Sequence, residues 1–350
     1  MRRPLLWRMV RGQSGEPPPV GQASACRVGL KPDPQGIGPE DLAPPPARGW
    51  WSDALRRLLR HRAAVAGLVV VGLLGLLALL APWVDRQGPT DQQLDATLAG
   101  PSARFWLGTD QLGRDQYSRL VHGARISLTV GVLAQGVAVS LGVAVGMAAG
   151  LGGRRADAAL MRLTDVAYAF PDLLMIILLA SVFGASVPML VLAIGLVSWT
   201  TIARLVRGQV LALQHEEFVL AARALGANPW RIAWHHLLPN VLGPVIVTAA
   251  FGIPAAIFAE GALAFIGLGL APPTPSWGRL VTDSFNTMFV APHLVVSSCL
   301  AVAATMLSFT FIGDGLRDAL DPRAPVRQRP PSAERGRERA GVRAEQRRAA

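Results

Sequence analysis

Few residues in this chain have the type and the setting to do chemistry. Glu260 stands out, because it is the only acid deep in the otherwise apolar stretch from Val241 to Leu270. An ionisable group in such a run is costly to bury unpaired and is by default a functional candidate. Two readings stay open for it. Either Glu260 faces a polar path through the run, or it lies near the run's outer end, paired with Arg279 or with backbone. The six histidines are scattered, and the adjacent His235 and His236 point to different sides of a helix, so no metal centre is expected. Cys26 and Cys299 lie in a polar leader and in an apolar run, a pairing that suggests neither a disulfide nor a metal site. There is no GxxxxGK[ST] phosphate cradle, so the chain is not expected to bind ATP in the usual way. HExxH is absent as well, which argues against a membrane protease.

The elements that must carry these residues are membrane helices. The chain has 350 residues, 51% hydrophobic and only 16% charged, and aromatics are just 6%. The apolar weight comes from Ala, Val, Leu and Gly, the mix that lets membrane helices pack backbone to backbone, which favours an all-α bundle over a barrel. A net charge of +11 suggests nucleic acid until it is located: residues 323–350 hold nine arginines against three glutamates. That tail is too polar to fold alone. It reads as a disordered extension lying near anionic lipid rather than an RNA binder. The proline-rich leader, residues 1–49, is likewise expected to be disordered and contains no apolar stretch long enough for a secretory signal.

Ala63 to Val84 is uncharged and long enough to cross a hydrocarbon core of about 30 Å, with arginines at its start and Trp83 at its far end. A polar, turn-rich outer loop runs to residue 125. Apolar runs then follow at Ile126–Leu151, Phe170–Val187, Val187–Ile202, Val241–Gly267 and Leu294–Ile312. The expected architecture is thus a polytopic bundle of six transmembrane helices: residues 50–125 supply the first span and outer loop, and 126–322 a five-helix core. Sixteen arginines fall on the side of the termini and six on the other, which puts both termini in the cytoplasm. The run from Val241 to Leu270 is too long for one perpendicular helix and is expected to tilt or to break at Gly252 and Pro254.

The polar segment between the fourth and fifth spans, residues 203–240, is expected to form a helix, a turn at Gly226–Pro229 and a second helix stopped by Pro239. Ala221, Ala222 and Ala224 give the first helix a thin face that a groove can accept closely, and Gly226 permits a positive φ. Such a cytoplasmic knob suits docking to another protein. The plainer reading is an ordinary amphipathic loop.

The stretch EEFVLAARALGANPWRIAWHHLLPN resembles the coupling motif of bacterial ABC importer permeases, matching at Ala221, Ala222, Gly226, Leu238 and Pro239, with Arg223 inside the motif. Leu220 stands where that family often has Glu, which leaves Glu217 to serve instead. WLGTDQLGRDQYSRLVHGARISL (Trp106–Leu128), FAEGALAFIGLGLAPPTPSWGRLV (Phe258–Val281) and GDGLRDALDPR (Gly313–Arg323) are similar to the dipeptide and oligopeptide importers, specifically the permease with one span before its long outer loop. The resemblance covers about residues 50–323. It implies a type I ABC importer permease in the plasma or inner membrane that catalyses nothing and binds no cofactor, ATP and Mg being held by partner ATPase subunits. The implied partners are a second permease, two ATPase subunits, an extracytoplasmic binding protein and membrane lipid, without nucleic acid. Glu260 is then a candidate for the translocation path or outer gate. Peptides are the implied substrate; nickel complexes or glutathione are alternatives, and a self-contained channel or a protease is a distant one.

The outer block has turn chemistry at Gly108, Asp110, Gly113 and Asp115, followed by a basic amphipathic run with Arg119 and Arg125 that could lie on the outer surface. It is expected to contact the binding protein or to form a lid on the bundle.

Overall fold

The computed structural model describes residues 50–85 and 87–320. The leader with Cys26, Arg86 and the arginine-rich tail lie outside the described residues. Helices account for nearly all the regular structure: α1 (Trp50–Arg60), α2 (Arg62–Leu79), the short α3 (Ala81–Val84), α4 (Gln116–Leu151), α5 (Gly153–Tyr168), α6 (Asp172–Phe183), α7 (Val187–Leu213), α8 (Glu217–Ala224), α9 (Pro229–Ile232), α10 (Leu238–Phe265), α11 (Trp277–Phe285) and α12 (Pro292–Leu320).

Among the described residues, five helical runs are long and apolar enough to cross a membrane: 62–79, 116–151, 187–213, 229–265 and 292–320. The sixth span is reached only by counting α5 and α6 together, and these meet at 80°. The run from Phe170 to Val187 therefore yields a helix of 12 residues, about 18 Å long and too short to span alone. Pro171 opens it and Gly184, at φ +83°, closes it.

Two further expectations are narrowed or corrected. Of the tilt or break expected for the run from Val241, the break at Gly252 or Pro254 is not made, since α10 continues through Pro244 and Pro254 to Phe265. Nor does Pro239 stop the helix after the knob: residues 229–265 form one helical run with a π turn at 233–237 directly before Pro239. The wider turn shifts the hydrogen-bond pattern just where proline supplies no N–H, so the chain continues instead of ending.

Small residues set the helix packing. On α4, a Cβ added to Gly142 would lie 2.6 Å from Ile202, one at Gly146 2.6 Å from Val206 and one at Gly150 2.5 Å from Val210. The matched numbering shows that α4 and α7 run parallel, and it permits near contact of their backbones. Ser127, Gly131 and Gln135 of α4 meet Glu260, Ile257 and Gly252 of α10, so α10 runs the opposite way. The same logic pairs α2 with α12 antiparallel, through Gly67 against Ser308 and Gly315 against Ala64. One end of the bundle consequently gathers the start of α2, the ends of α4, α7 and α12, and the segment 214–240. That end is rich in arginine. The opposite end holds the outer loop, α11 and Glu260.

Candidate functional site

At the arginine-rich end, α7 stops at Leu213, three residues turn the chain, and α8 begins. Val219 is fully buried in a cluster with Val206, Val210, Ile232 and Leu237, which fastens α8 to the bundle. Phe218 also approaches the His236 ring, with centroids 6.5 Å apart. Gly226 has φ +82°, and an added Cβ would find nothing within 4 Å. Asn228 caps the next helix by accepting from the Arg231 N–H at 2.8 Å, and Pro229 occupies its first turn.

The knob's outer face therefore consists of Glu217, Leu220, Ala221, Arg223, Ala224, Leu225 and Gly226, all exposed. Leu225, at 88%, is the most exposed large apolar side chain of the knob. Ala222 departs from the expected thin face: it turns inward and packs on the Val206 cluster. Leu238 and Pro239 sit beyond the π turn at the foot of α10, half-buried and exposed respectively, where the knob joins its span.

Glu260 lies at the other end and is 0% exposed. The Ser276 hydroxyl donates to it at 2.7 Å and the Ser127 hydroxyl at 3.3 Å. Each serine also accepts a backbone N–H, from Arg279 and Trp277 respectively. Beside this cluster α10 and α11 approach so closely that a Cβ on Gly278 would lie 2.4 Å from Cα of Gly261. Of the two pairings expected near the outer end, a backbone contact is made, by Gly278, and that with Arg279 is not. That guanidinium binds Asp283 instead, with Nε donating at 2.9 Å.

Sequence reasoning missed the largest polar assembly. Asp110 accepts from the Arg114 guanidinium at 2.7 Å and from Arg119, whose Nη2 also donates to Asp283 at 2.9 Å. Three arginines and two aspartates thereby clasp the outer loop, the start of α4 and α11 together. Arg119 is only 2% exposed, so the start of α4 is not an amphipathic stretch on the outer surface but the buried foot of a span. The spacing held a signal only for Arg279–Asp283, an i, i+4 pair on α11, since Asp110 and Arg114 lie in the turn before α4. Nearby, His122 Nε2 and Asp85 Oδ2 lie 3.0 Å apart and join α4 to the end of the first span.

Comparison with known proteins bears on this architecture. The family model for the binding-protein-dependent transport system inner membrane component matches residues 142–325. That for the N-terminal TM domain of oligopeptide transport permease C matches residues 49–101. The dipeptide transport system permease protein DppC of Alkalihalophilus pseudofirmus is 39% identical over 290 residues, 81% of this chain and 95% of that protein. The oligopeptide transport system permease protein OppC of Escherichia coli K12 is 42% identical, covering 79% and 92%. The glutathione transport system permease protein GsiD of Pectobacterium atrosepticum is 38% identical, covering 78% and 91%. Among solved structures, a chain of the MetNI methionine ABC transporter in inward-facing form overlays with a TM-score of 0.48 and 16% identity, over 58% of this chain and 96% of that one. On the long family match and on relatives aligned over nearly their whole lengths, this membrane helical bundle belongs to the family of binding-protein-dependent transport system inner membrane components.

Proposed function

We propose that this chain is one of two permease subunits of an ABC importer for peptides of the dipeptide and oligopeptide class, and that its knob couples the spans to partner ATPases. The peptide assignment is supported by the names of the relatives, among which dipeptide and oligopeptide permeases recur. Both termini face the cytoplasm, in keeping with the arginines gathered at the knob's end of the bundle. An extracytoplasmic binding protein delivers the substrate, and ATP with Mg is bound and hydrolysed on the ATPase subunits. The knob carries this reading because its apolar tip is turned outward: Leu225 and Leu220 are 88% and 49% exposed, and a Cβ added to Gly226 between the two helices would meet nothing within 4 Å among the described residues.

In the coupling reading, Glu217, Ala221, Arg223 and Gly226 meet the ATPase cleft, Ala222 holds α8 to the bundle, and Leu238 and Pro239 join the knob to α10. Gly226→Asp tests it. The left-handed backbone costs a non-glycine residue about 1–2 kcal/mol, confined to the turn. A charge desolvated on docking costs several kcal/mol if unpaired. The variant is expected to insert and to pair with its sister permease while ATP hydrolysis no longer responds to loaded binding protein. Normal stimulated hydrolysis and uptake would exclude the knob as the coupling element. Identifying the ligand of the co-purified binding protein decides between peptides and glutathione, the latter named for one relative.

A further inference from the structure

Beside the knob lies an open apolar groove of about 590 Å³ between α4 and the helical run that begins at Pro229. One wall is α4, where Ser140, Ala144 and Ala148, followed by Gly152 at its C-cap, form a stripe of small residues at every fourth position beside Val143, Met147 and Leu151. The facing wall is a ridge of Trp230 and Trp234, packed edge to face with centroids 5.6 Å apart. The stripe rises about 18 Å, close to one leaflet's share of a hydrocarbon core of about 30 Å.

The groove's end is basic. Gly153, at φ +76°, turns the chain out of α4 immediately after the lining Gly152, and Arg154 and Arg155 follow, both exposed. Arg231 adjoins the lining Trp230 and is also exposed. Two other arginines at this end are paired, Arg207 with Asp157 and Arg204 with Asp165, whereas Arg154, Arg155 and Arg231 form no ion pair among the described residues.

We infer that this groove binds an anionic phospholipid, with an acyl chain along the α4 stripe and the phosphate among Arg154, Arg155 and Arg231. An amphiphile of this kind satisfies both halves of the site. A wholly apolar helix would cover the stripe but bring nothing to the three guanidinium groups. Tryptophan at the membrane interface and basic residues beside an anionic surface each favour the same occupant.

The assembled transporter, reconstituted in vesicles containing a trace of phosphatidylglycerol or phosphatidylcholine with a photoreactive acyl chain, tests this. Labelled peptides are mapped by mass spectrometry. Phosphatidylglycerol is expected to label residues 140–152 and 230–238 several-fold more than phosphatidylcholine does. The triple variant Arg154→Gln, Arg155→Gln, Arg231→Gln is expected to lower the first to the level of the second, and Ala148→Trp to remove both from the groove. Equal labelling by the two lipids in the unaltered complex overturns the inference. So does absence of lipid label together with disulfide cross-linking of Ala144→Cys to the sister permease. Labelling needs neither ATP nor binding protein, so it is read independently of whether the knob couples hydrolysis.

Discussion

Replacing Glu260 by leucine removes the acceptor of two buried serine hydroxyls while keeping similar bulk. The two serines do not lose equally. Ser127 lies inside α4 and can turn its hydroxyl to a carbonyl of the preceding turn, whereas Ser276 caps α11, outside any helix that would offer one. One stranded donor and one partly recovered donor cost about 2–4 kcal/mol together. Glu260→Gln retains an acceptor for one serine and turns an N–H₂ toward the other, so its cost is about 1 kcal/mol. At about 2 °C per kcal/mol for a chain of this size, leucine lowers the midpoint of thermal dissociation by about 4–8 °C and glutamine by about 2 °C. The assay is size-exclusion chromatography of detergent-solubilised complex after graded heating. Adding Ser276→Ala to Glu260→Leu removes the stranded hydroxyl but also the cap on the Arg279 N–H, so it should cost less in the leucine background than Ser276→Ala costs alone. A leucine variant as heat-resistant as the wild type, or a double variant whose losses add, would refute the view that Glu260 is a staple between α4, α10 and α11. Normal transport by the glutamine variant would remove Glu260 from the translocation path.

Three other outcomes are expected. Gly146→Leu drives a side chain into the Ala203 carbonyl and Val206, so α4 and α7 must separate and the subunit should fail to assemble, as read by its loss from the membrane fraction. Asp283→Ala strips one of two carboxylates from three clasped arginines, among them the nearly buried Arg119. It should destabilise the outer end by about 3 kcal/mol, measured as faster proteolysis of the loop before α4. Reporter fusions after Gly100 and Pro275 should read external and those after Gly153 and Asn228 cytoplasmic, and a cytoplasmic signal at Gly100 would overturn the topology.

The spans were legible because hydropathy is a property of contiguous residues, and the knob because Gly226, Asn228 and Pro229 state their turn chemistry locally. What escaped was tertiary or compensated. Arg119 and Asp283 are 164 positions apart, and nothing near either one shows that they meet. Their meeting also explains part of the arginine count, since three of the six arginines assigned to the outer side, Arg114, Arg119 and Arg279, are held by Asp110 and Asp283. Pro239 was misread because a proline's missing N–H ends a helix only where no widened turn absorbs it. The third span was misjudged in length because Pro171 and Gly184 delimit an apolar run that hydropathy extends into the flanking turns.

The unbroken helical run from Pro229 to Phe265 has a mechanical consequence. Its contour from Trp230 to Glu260 is about 45 Å, so a tilt of about 5° carried through the whole run displaces the far end by at most about 4 Å, more than the length of a hydrogen bond. Had Pro239 ended the helix, a hinge would stand at the root of this arm and most of that displacement would be lost in it. The arm's far end is stapled through Glu260 to Ser276, so whatever swings the arm must also drag α11 or break the staple. Leverage and grip are thereby placed at opposite ends of one rod, and the stiffness between them decides how much of a small push arrives on the other side of the membrane.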